Sequence, residues 1–178
     1  MFNRCKRVFR SFDRVGIEIR KASLKKLLLF GFLFLFFGAL ICFAGGEISR
    51  IVYLYKRPAG AITYPTMHIL WGTSFFLSGV IFAGILYGCE KYRRHITYKI
   101  LLMIILMQLC AYLSYPLFFK ATAPFLAFLA LAIAIILCIF AIFSSYRIYT
   151  LWTTMLVVKC VWLVYIAYIY LGFSIINW

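Results

Sequence analysis

The chain has 178 residues, of which 66% are hydrophobic and 13% charged, with a net charge of +15 and a mean hydropathy of +1.02. A water-soluble domain needs a polar shell, and this composition does not supply one. The positive charge does not mark a nucleic-acid binder, because nine of the 19 Lys and Arg lie in the first 26 residues and no groove-reading motif follows. Such a basic segment suits anionic lipid headgroups.

Residues 1–26 therefore read as a juxtamembrane segment, and residues 27–178 as a single transmembrane domain. A bilayer core about 30 Å thick needs roughly 20 apolar residues in a helix. Five stretches qualify: Leu27 to Ala44, Thr66 to Cys89, Ile100 to Phe119, Pro124 to Ser145 and Ile148 to Phe173. Lipid offers no partner for bare backbone groups, and barrel strands would alternate apolar with polar residues. The expected fold class is all-α, a polytopic membrane protein built as a five-transmembrane-helix bundle.

The first stretch has the basic flank of a signal peptide, but it starts late, runs long and lacks a convincing cleavage site. It reads as an uncleaved span. Basic residues in the 2–3 connection (Lys91, Arg93, Arg94 and Lys99) and Arg147 in the 4–5 turn put those loops with the N-terminus. The positive-inside rule then predicts the N-terminus inside and the C-terminus outside. The first loop, Gly45 to Pro65, is the longest connection between spans. Pro124 suits a helix start. Pro116 is expected to kink or end the third span, and Gly38, Gly45 and Gly79 to permit close helix approach.

The six cysteines, Cys5, Cys42, Cys89, Cys110, Cys138 and Cys160, show neither a C-x-x-C nor a zinc spacing. The four acids, Asp13, Glu18, Glu47 and Glu90, all lie outside the spans, so no carboxylate pair or nucleophile–base pair is visible. No catalytic residue, no metal site and no obligatory cofactor are predicted.

Three blocks carry a family resemblance. Lys56-Arg57-Pro58 precedes Trp71-Gly72-Thr73, with Gly79 eight residues after the Trp. Pro116-Leu117-Phe118-Phe119 closes the third span, and Pro124 opens the fourth. Trp162 in the last span is followed 15 residues on by Asn177. In order and spacing, over residues 50 to 178, these blocks resemble the TspO/MBR family (translocator protein, or tryptophan-rich sensory protein), of which this chain looks like a divergent member. It departs from the family pattern at Gly60 to Thr63, Ala111, Ser114, Ala130, Val158-Lys159 and Tyr170.

The resemblance implies a five-helix bundle, often a homodimer, with a pocket near one membrane face closed by the first loop. It implies a receptor or carrier for porphyrins such as protoporphyrin IX or haem, with sterol-like ligands as a further class. Some family members promote light-dependent porphyrin breakdown, which would be the only enzymatic activity in view. The positions of Trp71 and Trp162 line the family's pocket.

The candidate ligand-binding residues are Trp71, Trp162, His68, Lys159, Tyr165 and Phe119. An indole can stack on a flat tetrapyrrole. It can equally pack between helices or anchor at the membrane interface, which is the reading given to Trp152 and Trp178. Lys159 lies near mid-span, where a charge costs about 2.5–3.5 kcal/mol and must face protein, water or a partner. It shares a helix face with Trp162 and Tyr165. Its side chain is expected to meet a ligand propionate as an ammonium, to bind carbonyls or water inside the bundle, or to be neutral. His68 shares the face of Trp71 and reads as a ligand contact or a hydrogen-bonded structural residue. The alternative function, from another class, is a membrane accessory protein that binds a partner through its helices and has no small-molecule pocket.

Overall fold

The computed structural model describes residues 23–44, 56–88 and 94–177. Five helices account for almost all of them: α1 (Leu24–Ala44), α2 (Tyr64–Tyr87), α3 (Arg94–Phe119), α4 (Pro124–Ser145) and α5 (Thr150–Ile176). All five are long and apolar enough to cross a membrane. The described residues contain no strand. The protein is an all-α, five-helix bundle, with the character of an integral multi-pass membrane protein.

Burial supports lipid as the solvent. The outer faces carry large apolar side chains, among them Phe32 and Phe36 on α1, Phe140 and Phe143 on α4, and Val161 and Val164 on α5. The interior instead holds Ser74, Ser78, Gln108 and Lys159. An exposed apolar surface of this extent is stable only where the surroundings are themselves apolar.

The helix ends differ from expectation by a few residues, for physical reasons. Helix α2 starts at Tyr64 because Pro65 sits in its first turn, where a missing N–H breaks no bond. Helix α3 already includes Arg94, since long basic side chains can leave the apolar zone while their backbone stays helical. Helix α1 takes in Lys25 and Lys26, and the Lys26 ammonium lies 4.2 Å from the centre of the Tyr87 ring. Pro116 does not end α3, which runs on to Phe119. Closure comes just beyond, where the amides of Lys120 and Ala121 both donate to the Pro116 carbonyl and Thr122 takes a positive φ of 49°.

In the packing, α2 touches α1, α3 and α5, while α3 with α4 and α4 with α5 form closely packed antiparallel pairs. Gly79 sets the α1–α2 approach, because a Cβ there would strike the backbone carbonyl of Phe30. Gly38 likewise makes room for the ring of Phe75. Gly45 and Trp178, also singled out above, lie outside the described residues.

Trp152 corrects the interface-anchor reading. It is buried at 2% exposure, and its indole occupies the space that a side chain on Gly84 would fill. A glycine opposite an indole turns an end-of-span tryptophan into a core residue.

Candidate functional site

The bundle end that carries the first loop holds a continuous aromatic cluster. Helix α2 contributes Tyr64, His68, Trp71 and Phe75 at successive turns of one face. Helix α3 contributes Tyr112, Tyr115, Phe118 and Phe119, and α5 contributes Trp162, Tyr165, Tyr170 and Phe173. Trp71 meets Trp162 edge to face at 6.3 Å and Phe75 at 5.1 Å. Trp162 lies 5.6 Å from Tyr165, and His68 lies 5.6 Å from Phe119. Phe118 stacks flat on Tyr170 at 4.2 Å. Each such pair adds about 0.5–1.5 kcal/mol beyond the area it buries.

Five of the six candidate residues, Trp71, Trp162, His68, Tyr165 and Phe119, therefore belong to one cluster. Their polar atoms are unequally provided for. The Tyr115 hydroxyl and His68 Nδ1 share a hydrogen bond of 3.0 Å. His68 Nε2, Trp71 Nε1, Trp162 Nε1 and the hydroxyls of Tyr64 and Tyr170 are buried with no hydrogen-bond partner of good geometry, although the Tyr170 hydroxyl lies toward Trp71 and Ser114 and that of Tyr64 toward Arg57. Buried polar atoms without well-formed hydrogen bonds are uncommon and costly, so five in one cluster call for a ligand, water or rearrangement.

A loop segment covers this end and is fastened to α5. Pro58 seats against Gly172, where an added Cβ would meet it at 2.8 Å. The chain then turns, with Gly60 at a φ of 78° and the Ala61 amide donating to the Pro58 carbonyl. Gly60's carbonyl accepts from the Tyr165 hydroxyl at 2.8 Å, and Ala59's carbonyl from Tyr168 at 3.4 Å. Asn177 clasps the backbone of Lys56. The Arg57 guanidinium lies 4.6 Å from the centre of the Tyr64 ring. Tyr165 thus packs on Trp162 with its ring while its hydroxyl holds the loop.

Lys159 stands apart from the cluster. It is 1% exposed, one turn from Trp162 on α5. Its ammonium donates to Gln108 Oε1 at 2.9 Å, to the Ser74 carbonyl at 3.1 Å, to Ser74 Oγ at 3.2 Å and to Ser78 Oγ. An ammonium has three N–H groups. Two serve Gln108 and Ser78, and the third is shared between the two Ser74 oxygens. Of the roles open to Lys159 in the sequence, the structure gives it bundle partners.

The sequence reading missed Ser74, Ser78 and Gln108. A signal was present: Ser74 and Ser78 stand four apart, about one helical turn, inside a membrane-length span, and Gln108 is the only glutamine in the chain.

Two open clefts lie at the same end, outside the cluster. One of about 470 Å³ is lined by Phe125, Leu171, Ser174 and Ile175, and one of about 230 Å³ by residues from Thr122 to Leu126 with Ser174 and Asn177. Neither is lined by Trp71 or Trp162. Among the described residues, no three His, Cys, Asp or Glu side chains converge on a point that could hold a metal. Cys42, Cys110, Cys138 and Cys160 are free thiols.

No family model, no curated protein and no solved structure matches this chain.

Proposed function

We propose that the protein is an integral membrane receptor or carrier for flat hydrophobic ligands of the tetrapyrrole class, protoporphyrin IX or haem foremost, bound in the aromatic cluster beneath the first loop. The observation that carries this reading is the set of buried polar atoms on Tyr64, His68, Trp71, Trp162 and Tyr170 that make no well-formed hydrogen bond. A tetrapyrrole offers a broad π-face to the indoles and polar edges to their N–H groups. The rings of the cluster fill its interior, so binding requires them to move aside and the loop to lift from α5. The TspO-like spacing of Pro58, Trp71, Trp162 and Asn177 supports the same reading.

Lys159 enters as a positive charge one turn beneath the cluster. Its donors are committed, so direct contact with a ligand carboxylate requires it to give up a bundle partner. The basic N-terminal segment belongs on the inner face by the positive-inside rule, and the loop-covered end with the C-terminus on the outer face.

Protoporphyrin IX added in the dark to detergent-solubilised protein should acquire a saturable circular-dichroism signal in its Soret band. Weakening in W71F or W162F would support the cluster as the site. Absence of a saturable signal would leave the accessory-protein reading, with the apolar outer face of α1 (Phe32, Phe36, Phe43) as the surface for a membrane partner. Loss of Soret absorption on illumination, but not in the dark, would add porphyrin breakdown to binding.

A further inference from the structure

Lys159 is a buried cation with no buried counter-ion. The described helices contain no Asp or Glu. In place of a carboxylate it has a set of neutral oxygens drawn from two other helices: the carbonyl and hydroxyl of Ser74, the hydroxyl of Ser78 and the amide oxygen of Gln108. We propose that this oxygen cage is a binding site for a primary ammonium group, occupied in the native chain by the protein's own tethered ligand, Lys159.

Three features support this. First, the four oxygens that accept from the ammonium occupy all three of its N–H groups. Second, the Gln108 amide presents its oxygen to Lys159 while its Nε2 side lies toward the Tyr112 hydroxyl, the orientation that suits a cation donor. Third, the acceptors reinforce one another, since Ser78 Oγ donates to the Ser74 carbonyl at 2.9 Å. That bond orients the Ser78 lone pairs toward Lys159. Neutral oxygens that replace a hydration shell are how proteins hold monovalent cations inside membranes. Here the fixed spacing to N–H donors selects an ammonium that can donate, and a quaternary ammonium of equal charge cannot.

The site should accept a free ammonium once the tether is cut. The Lys159→Ala substitution removes a propylammonium-sized piece and leaves the cage. The experiment measures the thermal midpoint of K159A in detergent across matched concentrations of propylammonium, tetramethylammonium and sodium chlorides. Wild-type protein serves as the reference. The expected result is a lowered midpoint in sodium chloride and a saturable rise of several degrees with propylammonium. Tetramethylammonium should give no rise, and the wild type should not distinguish the salts. The rise should disappear in S78A/K159A. Equal response to all three salts, or rescue that survives the loss of Ser78, overturns the proposal. If K159A does not fold in any salt, K159M, Q108L and K159M/Q108L decide the matter. A double variant less destabilised than the sum of the singles supports the cage, and strict additivity overturns it.

Discussion

Asn177 holds Lys56 from both sides across 121 residues of sequence: the Lys56 amide donates to Asn177 Oδ1 at 2.7 Å, and Asn177 Nδ2 donates to the Lys56 carbonyl at 3.0 Å. The same Nδ2 also donates to the Phe173 carbonyl at 3.0 Å, so the side chain both caps α5 and latches the loop. Two-way recognition of one residue's backbone N–H and C=O needs an amide side chain, because a carboxylate cannot donate and an ammonium cannot accept.

Loss of this latch should free the loop without unfolding the bundle. At about 0.5–1.5 kcal/mol per hydrogen bond, N177A should raise the open population on the order of tenfold. Limited trypsin digestion reads this directly as faster cleavage after Lys56, with the midpoint of global unfolding little changed. N177D should fall between the wild type and N177A, since it keeps the acceptor for the Lys56 amide and loses the donor.

The glycines separate close packing from backbone conformation. G79A should cost about 1–3 kcal/mol through the collision with Phe30 that separates α1 from α2. G60A meets nothing within 4 Å, so its cost, about 1–2 kcal/mol, comes only from the positive φ of 78°. Denaturant unfolding of both variants tests the ranking. A further readout distinguishes them: G60A should speed trypsin cleavage at the loop, and G79A should not.

Trp152 gives a sharper contrast between two readings. As an interface anchor it could be removed with little loss. As a core residue seated on Gly84, its replacement by alanine should cost about 3–5 kcal/mol. Equilibrium unfolding of W152A settles the choice.

The helices were legible because lipid leaves the backbone no alternative, so any uniformly apolar run of the right length must be a helix. Their ends were less so, since Pro65 and Arg94 each extend a helix beyond its apolar run. The indole of Trp152 was misread because nothing in its own neighbourhood shows that Gly84, on another helix, leaves it a slot. Trp71 and Trp162 were singled out by the family resemblance, and the structure brings them into edge contact. The Lys159 cage was only half visible: the charge was conspicuous, but its partners are small, neutral and spread over two other helices.

Ser78 should matter far more than an exposed hydroxyl on the same helix. S78A removes a hydrogen bond to a buried cation and should cost about 1.5–3 kcal/mol. Thr73 bonds only to the Leu70 carbonyl of its own helix and faces outward. T73A should therefore stay within about 0.5 kcal/mol of the wild type. Parallel unfolding curves provide the check.

The most direct measurement for the proposed function is a titration of the purified protein with protoporphyrin IX in the dark, followed by tryptophan fluorescence with an inner-filter control. Wild type, W71F and W162F are compared. Binding in the aromatic cluster predicts saturable quenching in the micromolar range that weakens in both variants. Linear, non-saturating quenching that is the same in all three proteins would contradict it.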